Sequence, residues 1–136
     1  MTAANQSERP EVGKYPLLFG SNNYPGLEII IFRIGPREEN QFVLKLTGID
    51  HAWDGHFFEL TRDGDEHRAN YAINSYPDGE YNLVTCRDIW GGSSYEIYIK
   101  GIRDGIKLFL GNGSFLIAEH LLTEFLAYKE KGEKPF

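Results

Sequence analysis

The sequence has few of the features that mark secreted or membrane proteins. Its single cysteine excludes an internal disulfide. Its apolar runs, such as residues 29–32, fall far short of the ~20 residues that a membrane helix needs. The opening MTAANQSERP has neither a basic start nor an apolar stretch, so it lacks the pattern of a secretory signal. These absences predict a soluble protein of a reducing, cytoplasmic compartment with no membrane partner.

Basic residues are also scarce, and the acidic ones are unevenly placed. The formal net charge is −6. Residues 50–80 alone hold eight acids against two bases, so the acidity is a regional property. Binding to nucleic acid requires clustered Lys and Arg to neutralise phosphates, which makes nucleic acid a poor partner. The expected partner is instead a protein with a basic surface, although several of the acids also flank turns, where Asp is common for backbone reasons.

What the sequence does contain is enough apolar material for one folded domain. Hydrophobic residues make up 41% of the chain and aromatic residues 14%. A chain of this length buries roughly two thirds of its unfolded surface, which is sufficient for independent folding. Residues 1–15 are polar and patternless, and predict a flexible N-terminal arm. Residues 16–136 are predicted to form a single α+β domain.

Most of this domain has the pattern of β-strands. Residues 27–34 are apolar at nearly every position, as in a strand covered on both faces, and residues 41–47 alternate as in a strand with one buried face. Asp63-Gly64 predicts a two-residue hairpin turn that pairs Arg62 with Asp65. In that register one face of the hairpin is the core face, which carries Phe58, Leu60, Ala69, Tyr71 and Ile73.

Two further turns complete the predicted meander. Pro77-Asp78-Gly79 leads into a strand whose core face is expected to carry Leu83, with Cys86 on the opposite face. Asp104-Gly105 predicts another two-residue hairpin turn, which pairs Arg103 with Ile106.

The end of the chain changes to a helical period. Apolar residues recur at i, i+3 and i+4 after a predicted N-cap at Ser114, and Gly132 is positioned to supply a left-handed cap. The predicted fold is therefore an antiparallel β-meander, a sheet or half-barrel of about seven strands, backed by one C-terminal α-helix.

The stretch HAWDGHFFEL raises the question of a metal or acid/base site. His51, Asp54 and His56 could converge on a ligand, but their spacing is no established metal signature. Cys86 is predicted to lie across the sheet from the histidines, which argues against a Cys-His nucleophile. The glycines before Ser114 lack a Walker lysine or a Rossmann spacing. We therefore predict no catalytic residue, no metal and no cofactor.

The topology of a meander groups one set of acids more closely. The segment before His56 and the turns at Asp78 and Asp104 fall at the same end of the sheet. This end gathers acids around a tryptophan, and such a surface fits a cationic protein, with charge for steering and an aromatic anchor for affinity. The predicted partner-binding residues are Asp50, Trp53, Asp54, Asp78, Glu80 and Asp104.

Three function classes follow from these patterns. The leading hypothesis is a small acidic, non-enzymatic interaction protein, such as an inhibitor or immunity-type protein that neutralises a nuclease toxin. The second is a ligand-binding domain or metal-dependent enzyme with a pocket between sheet and helix, which would use His51, Asp54 and His56. The third is a structural subunit that forms a homodimer or larger assembly through an exposed sheet edge or the polar arm.

Overall fold

A closed antiparallel barrel of eight strands forms the body of the molecule. The computed structural model describes residues 9–90 and 92–136, and in it each strand pairs with the next one in the chain. Strand β1 also pairs with β8, which closes the barrel. Strands β1 to β8 and helix α1 have the following bounds: Leu17–Gly20, Glu28–Arg33, Gln41–Thr47, His56–Gly64, Ala69–Ile73, Asn82–Ile89, Gly92–Ile97, Ile106–Leu110 and Ala118–Glu130.

Closure of the sheet corrects the predicted half-barrel of about seven strands. The antiparallel order and the C-terminal helix are confirmed, and the strand missing from the prediction is β1. Its Leu18 pairs with Ile30 of β2, while Phe19 pairs with Leu110 of β8. Since every strand has a neighbour on each side, the barrel that the described residues form has no free sheet edge for the assembly considered above.

The interior of the barrel is filled by side chains. An eight-stranded barrel is just wide enough for its inward-facing residues to fill it. The buried cluster inside it comprises Phe19, Leu27, Ile29, Ile31, Leu44, Leu46, Trp53, Phe58, Leu60, Ala69, Tyr71, Ile73, Leu83, Val84, Cys86, Ile97, Ile99 and Ile106.

A second apolar layer lies outside the barrel, beneath helix α1. The helix packs its apolar stripe on the outer faces of β2, β3 and β4, and ion pairs of Lys45 with Glu124 and of Lys129 with Glu59 flank the contact. Strand β2 is thus covered on both faces, which explains why residues 29–32 are all apolar. The buried residues of this layer are Ile30, Phe32, Val43, Phe57, Leu121, Leu122, Phe125 and Tyr128.

The β4–β5 hairpin turns later than predicted. Gly64 pairs with Ala69, so residues 65–68 form the turn. The predicted two-residue turn, with Arg62 opposite Asp65, is therefore wrong. The Asp65 carboxylate accepts hydrogen bonds from two backbone N–H groups within the turn, at 2.8 and 3.0 Å, and these bonds lower its pKa. An aspartate-bonded turn of this kind competes with the tighter aspartate-glycine turn.

The β7–β8 connection is also longer than predicted. Ile97 pairs with Ile106, so residues 98–105 form a loop and the predicted pairing of Arg103 with Ile106 is wrong. In both hairpins the observed partner of each residue lies an even number of positions away from the predicted partner. Because side chains alternate with period two, the displacement preserves which residues face the core.

An irregularity between β5 and β6 does change a face. The register shifts between Tyr71 and Ala72, and Leu83 and Val84 are both buried beyond it. Cys86 consequently joins the barrel interior with Leu83, whereas the sequence predicted it on the opposite face. A bulge inserts one extra residue and so reverses the alternation that follows it.

The two ends of the chain also refine the predicted boundaries. Residues 1–8 of the predicted flexible arm lie outside the described residues. In the part that the structure describes, Val12 forms a β-bridge with Ile34. Helix α1 begins at Ala118, with Ile117 rather than Ser114 as its N-cap, and Gly132 after it has a positive φ of 75°. Among the described residues, no helix has the length and apolarity to span a membrane.

The barrel has two unlike ends. We call one the loop end, which is formed by residues 21–27, 48–55, 74–81 and 98–105. We call the other the hairpin end, which is formed by residues 34–40, 65–68, the turn at Trp90 and the segments 9–16 and 111–117.

Candidate functional site

All six predicted partner-binding residues lie in loop-end segments. This grouping follows from the strand order, because alternate connections of a meander fall at the same end. Their side chains, however, are in different environments. The residues are Asp50, Trp53, Asp54, Asp78, Glu80 and Asp104.

Trp53 is part of the barrel core. Its side chain is only 5% exposed, and its ring makes edge contacts with those of Phe58 at 5.2 Å, Tyr81 at 5.6 Å and Phe136 at 6.2 Å. The residue therefore closes the loop end from inside. It does not present an aromatic anchor on the surface.

Asp54 holds the backbone of its own loop. One carboxylate oxygen accepts hydrogen bonds from the N–H of Gly48 at 2.7 Å and of Ile49 at 3.3 Å. These bonds close residues 48–55 into a compact loop above Trp53. The carboxylate thus acts as a backbone cap, because it accepts hydrogen bonds from N–H groups that have no partner in the strands.

The two histidines of this stretch point to different elements. The His51 Nδ1 atom accepts a hydrogen bond from the Trp53 N–H at 3.0 Å, so its Nε2 carries the proton and donates to the Lys100 carbonyl at 2.6 Å. The His56 Nδ1 atom lies 2.7 Å from the hydroxyl of Tyr128 on helix α1. The structure thus does not bring His51, Asp54 and His56 together, and the described residues contain no group of three metal-ligating side chains.

Three loop-end acids make no ion pair and no side-chain hydrogen bond within the described ranges. The Asp78 carboxylate lies 3.4 Å from the ammonium of Lys100. Hydrogen bonds of this lysine, the larger effect from Tyr76 and the smaller from Asp78, raise its pKa. No ion pair within the described ranges involves the other acids of the loop end. The exposed acids left for a partner are Asp50, Glu80 and Asp104.

The hairpin end presents the exposed tryptophan that the loop end lacks. Trp90, in the turn between β6 and β7, is fully exposed at 102%, and Ile89 beside it is 56% exposed. The neighbouring β4–β5 turn touches this hairpin, since the His67 ring lies 3.8 Å from the Asp88 carboxylate. We call this region the Trp90 surface, and it comprises Asp63, Asp65, Glu66, Asp88, Ile89 and Trp90.

The Trp90 surface was not part of the predicted site, although the sequence carries a signal for it. Residues 89–92 read Ile-Trp-Gly-Gly between two strands, and a side chain in so tight a turn has no neighbouring strand residue to cover it. Large exposed apolar groups with a polar rim commonly mark interaction sites. The strand order already predicts that these two turns share one end of the sheet, and the structure shows β5 pairing with a strand of each hairpin.

A groove of about 400 Å³ lies between helix α1, strands β4 and β5, and the tail after the helix. We call it the α1 groove. Its floor is aromatic, with Phe57, Phe125 and Tyr128, and its rim carries Glu59 and Lys129. It matches the position of the pocket predicted between sheet and helix, but His51, Asp54 and His56 do not line it.

Cys86 has no imidazole beside it in the described part of the chain. Its sulfur lies 3.8 and 3.7 Å from the backbone carbonyls of Glu66 and His67, and its side chain also contacts the hydroxyl of Tyr95. Its thiol is buried in the barrel core. It packs as a small apolar residue, which is the usual role of a buried free cysteine.

Comparison with known proteins adds no assignment to this geometry. Neither protein-family models, nor curated proteins, nor solved structures give a match to the chain.

Proposed function

We propose that this chain is a non-enzymatic binding protein that engages a basic protein partner, in the manner of an inhibitor or immunity-type protein that blocks a nuclease toxin. The observation that carries the proposal is the Trp90 surface, where a fully exposed tryptophan shares the hairpin end with four exposed carboxylates. The acidic segment 50–80 thus contributes carboxylates to the same surface as an exposed aromatic side chain. This surface lies at the opposite end of the barrel from the predicted one.

Charge and aromatic area have separate roles in such a surface. Carboxylates at an accessible tip raise the rate of encounter with a cationic partner, and this effect weakens as salt is added. A tryptophan that becomes buried on binding acts mainly on the dissociation rate, because its large rigid area is desolvated in the complex. Two arginines lie next to the patch. Arg87 is already engaged, since its guanidinium donates to the Ala69 carbonyl and to Asn70, whereas Arg68 is exposed and offsets part of the negative charge.

Association with a panel of basic nucleases, measured at several salt concentrations, tests the proposal. The hairpin-end charge variant carries Asp63→Asn, Glu66→Gln and Asp88→Asn, and a separate variant carries Trp90→Ala. We expect the charge variant to lower the association rate, and the Trp90 variant to weaken binding by roughly 30-fold, the effect of losing a hot-spot residue of about 2 kcal/mol.

The matched control carries Asp50→Asn, Glu80→Gln and Asp104→Asn, which removes the same number of charges from the loop end. If only this control loses binding, the partner occupies the surface predicted from sequence and the Trp90 surface is not the site. The proposal as a whole would be contradicted if the chain bound none of the basic proteins, or if its association rates did not respond to salt.

The α1 groove supports a second candidate, a small-ligand domain. Its volume of about 400 Å³ falls in the usual range for ligand sites, roughly 300–1,000 Å³. A ligand lodged there should raise the thermal midpoint of the wild-type chain and should have a smaller effect when Lys129→Trp narrows the groove from its rim. An equal stabilisation of both chains would place the ligand elsewhere.

A further inference from the structure

Exposed apolar side chains are concentrated where the end of β8 meets the start of β1. Nine large apolar side chains of the described ranges are exposed, and five of them belong to this region. Tyr15 is 88% exposed and Phe115 is 68% exposed. We call the region the β8 patch, and it comprises Tyr15, Phe109, Leu110, Phe115 and Ile117.

The path of the backbone explains why these side chains are left outside the two apolar cores. The N–H of Gly111 donates to the carbonyl of Leu18 at 2.7 Å, which holds the segment after β8 alongside β1. Leu116 of this segment packs in the outer layer beneath helix α1. Its neighbours Phe115 and Ile117 are left in solvent.

A groove of about 330 Å³ lies within the patch. It runs between residues 14–18 and 110–116, and leucine is its commonest lining residue. Phe115 lies between two lining residues, Ser114 and Leu116, but its own ring is outside the groove. A groove with a projecting ring beside it is self-complementary, because two copies related by a two-fold axis can each insert the ring into the groove of the other.

The size of the patch fits a contact between proteins. Its five side chains expose ~600 Å² together, if a whole large apolar side chain has an area of about 200 Å². A stable interface buries about 800 Å² on each partner with its polar rim included. Contiguous apolar surface of this extent is at the upper limit for a protein that remains monomeric.

The charges around the patch argue for a second copy of the chain as its occupant. Residues 13–20 and 106–117 contain Lys14 and Lys107 but no acid, although the net charge of the chain is −6. A basic partner of the Trp90 surface would find no carboxylate here. Two copies would meet without their acidic segments, and the long lysine side chains can keep their ammonium groups in water. Residues 1–8 have one large apolar side chain, Met1, which is too few to match the patch.

We propose that the β8 patch is the interface of a two-fold dimer, in which Phe115 of each chain enters the patch groove of the other. The contact lies on the outside of the closed barrel, so it requires no free sheet edge. The inference goes beyond the proposed basic partner and does not depend on it, because the β8 patch and the Trp90 surface share no residue.

Sedimentation equilibrium of the full chain alone tests the dimer. We expect twice the monomer mass of 15.5 kDa. Phe115→Gln should weaken dimerisation by at least about 30-fold, the effect of losing a hot-spot residue of about 2 kcal/mol. Most of this ring is exposed, so the fold should not change, and circular dichroism checks that it does not.

The matched control is Tyr98→Gln, which makes a similar change at an exposed aromatic residue of the loop end. It should leave dimerisation unchanged. A wild-type chain that is monomeric at millimolar concentration, or a dimer that the two variants weaken equally, would overturn the proposal.

A measurement on the wild-type chain identifies the surface directly. In an equal mixture of isotope-labelled and unlabelled chains, filtered NOE spectra should connect the Phe115 ring of one chain with leucine methyl groups in the patch groove of the other. A dimer without these contacts would be formed by another surface, and the proposal would be wrong.

An anionic lipid surface is the other occupant that aromatic, aliphatic and lysine side chains could suit. Co-sedimentation with vesicles of phosphatidylcholine and phosphatidylserine distinguishes it. A monomeric chain that sediments with these vesicles, and no longer does so as Phe115→Gln, would assign the patch to a membrane in place of a second copy.

Discussion

At the scale of single residues, the Asp54 carboxylate holds the loop that covers the end of the barrel. Replacing Asp54 with Ala removes its acceptor from the N–H groups of Gly48 and Ile49. We expect the free energy of unfolding to fall by about 1–2 kcal/mol, the usual cost of losing a backbone cap. Urea denaturation measures the change. Asp50→Ala in the same loop is the control and should change stability by less than ~0.5 kcal/mol; equal losses would show that Asp54 has no special role.

Residue type and sequence position together predicted which end of the barrel each acid occupies, but not what its side chain does there. Trp53 and Trp90 both lie in connections between strands, yet one is buried and the other fully exposed. The difference comes from the length of the connection. Residues 48–55 are long enough to fold back over the barrel mouth, whereas the turn at Trp90 joins β6 to β7 too tightly to do so. Such folding back depends on tertiary contacts that no local pattern contains.

At the scale of elements, helix α1 is held by an aromatic contact with the outer face of β4. Phe125 is 2% exposed and its ring lies 5.6 Å from that of Phe57. Phe125→Ala should reduce the free energy of unfolding by about 3–5 kcal/mol, through lost burial and the cavity left behind. His120→Ala on the exposed face of the helix is the matched control, with an expected change within ~0.5 kcal/mol. Thermal and chemical unfolding check both, and similar losses would mean that the helix does not depend on this contact.

Strand and helix types were predictable because their periods are local properties of the sequence. The exact hairpin registers were not, because two turn chemistries compete at residues 63–68 and the aspartate-bonded turn prevails over Asp63-Gly64. Barrel closure was missed for a related reason. Strand β1 has only four residues, too few to show a clear alternation, and its pairing with β8 joins the two ends of the domain. Long-range pairing of this kind leaves no local pattern.

At the scale of the whole molecule, the barrel holds two different surfaces at its opposite ends, the loop end and the hairpin end. The loop end is closed from inside by Trp53, while the hairpin end carries the Trp90 surface. Each end contains one of the two tryptophans. Fluorescence can therefore report on the ends separately.

The variants Trp90→Phe and Trp53→Phe isolate these two reporters. With Trp53 alone, emission should lie at short wavelength and acrylamide should quench it weakly, because the indole is packed among aromatic rings inside the barrel. With Trp90 alone, emission should resemble that of free tryptophan, acrylamide should quench it strongly, and a basic partner should protect it. Circular dichroism confirms that both variants fold. Weak quenching of Trp90 would show that this side chain is covered in solution, which would remove the anchor on which the proposed binding surface depends.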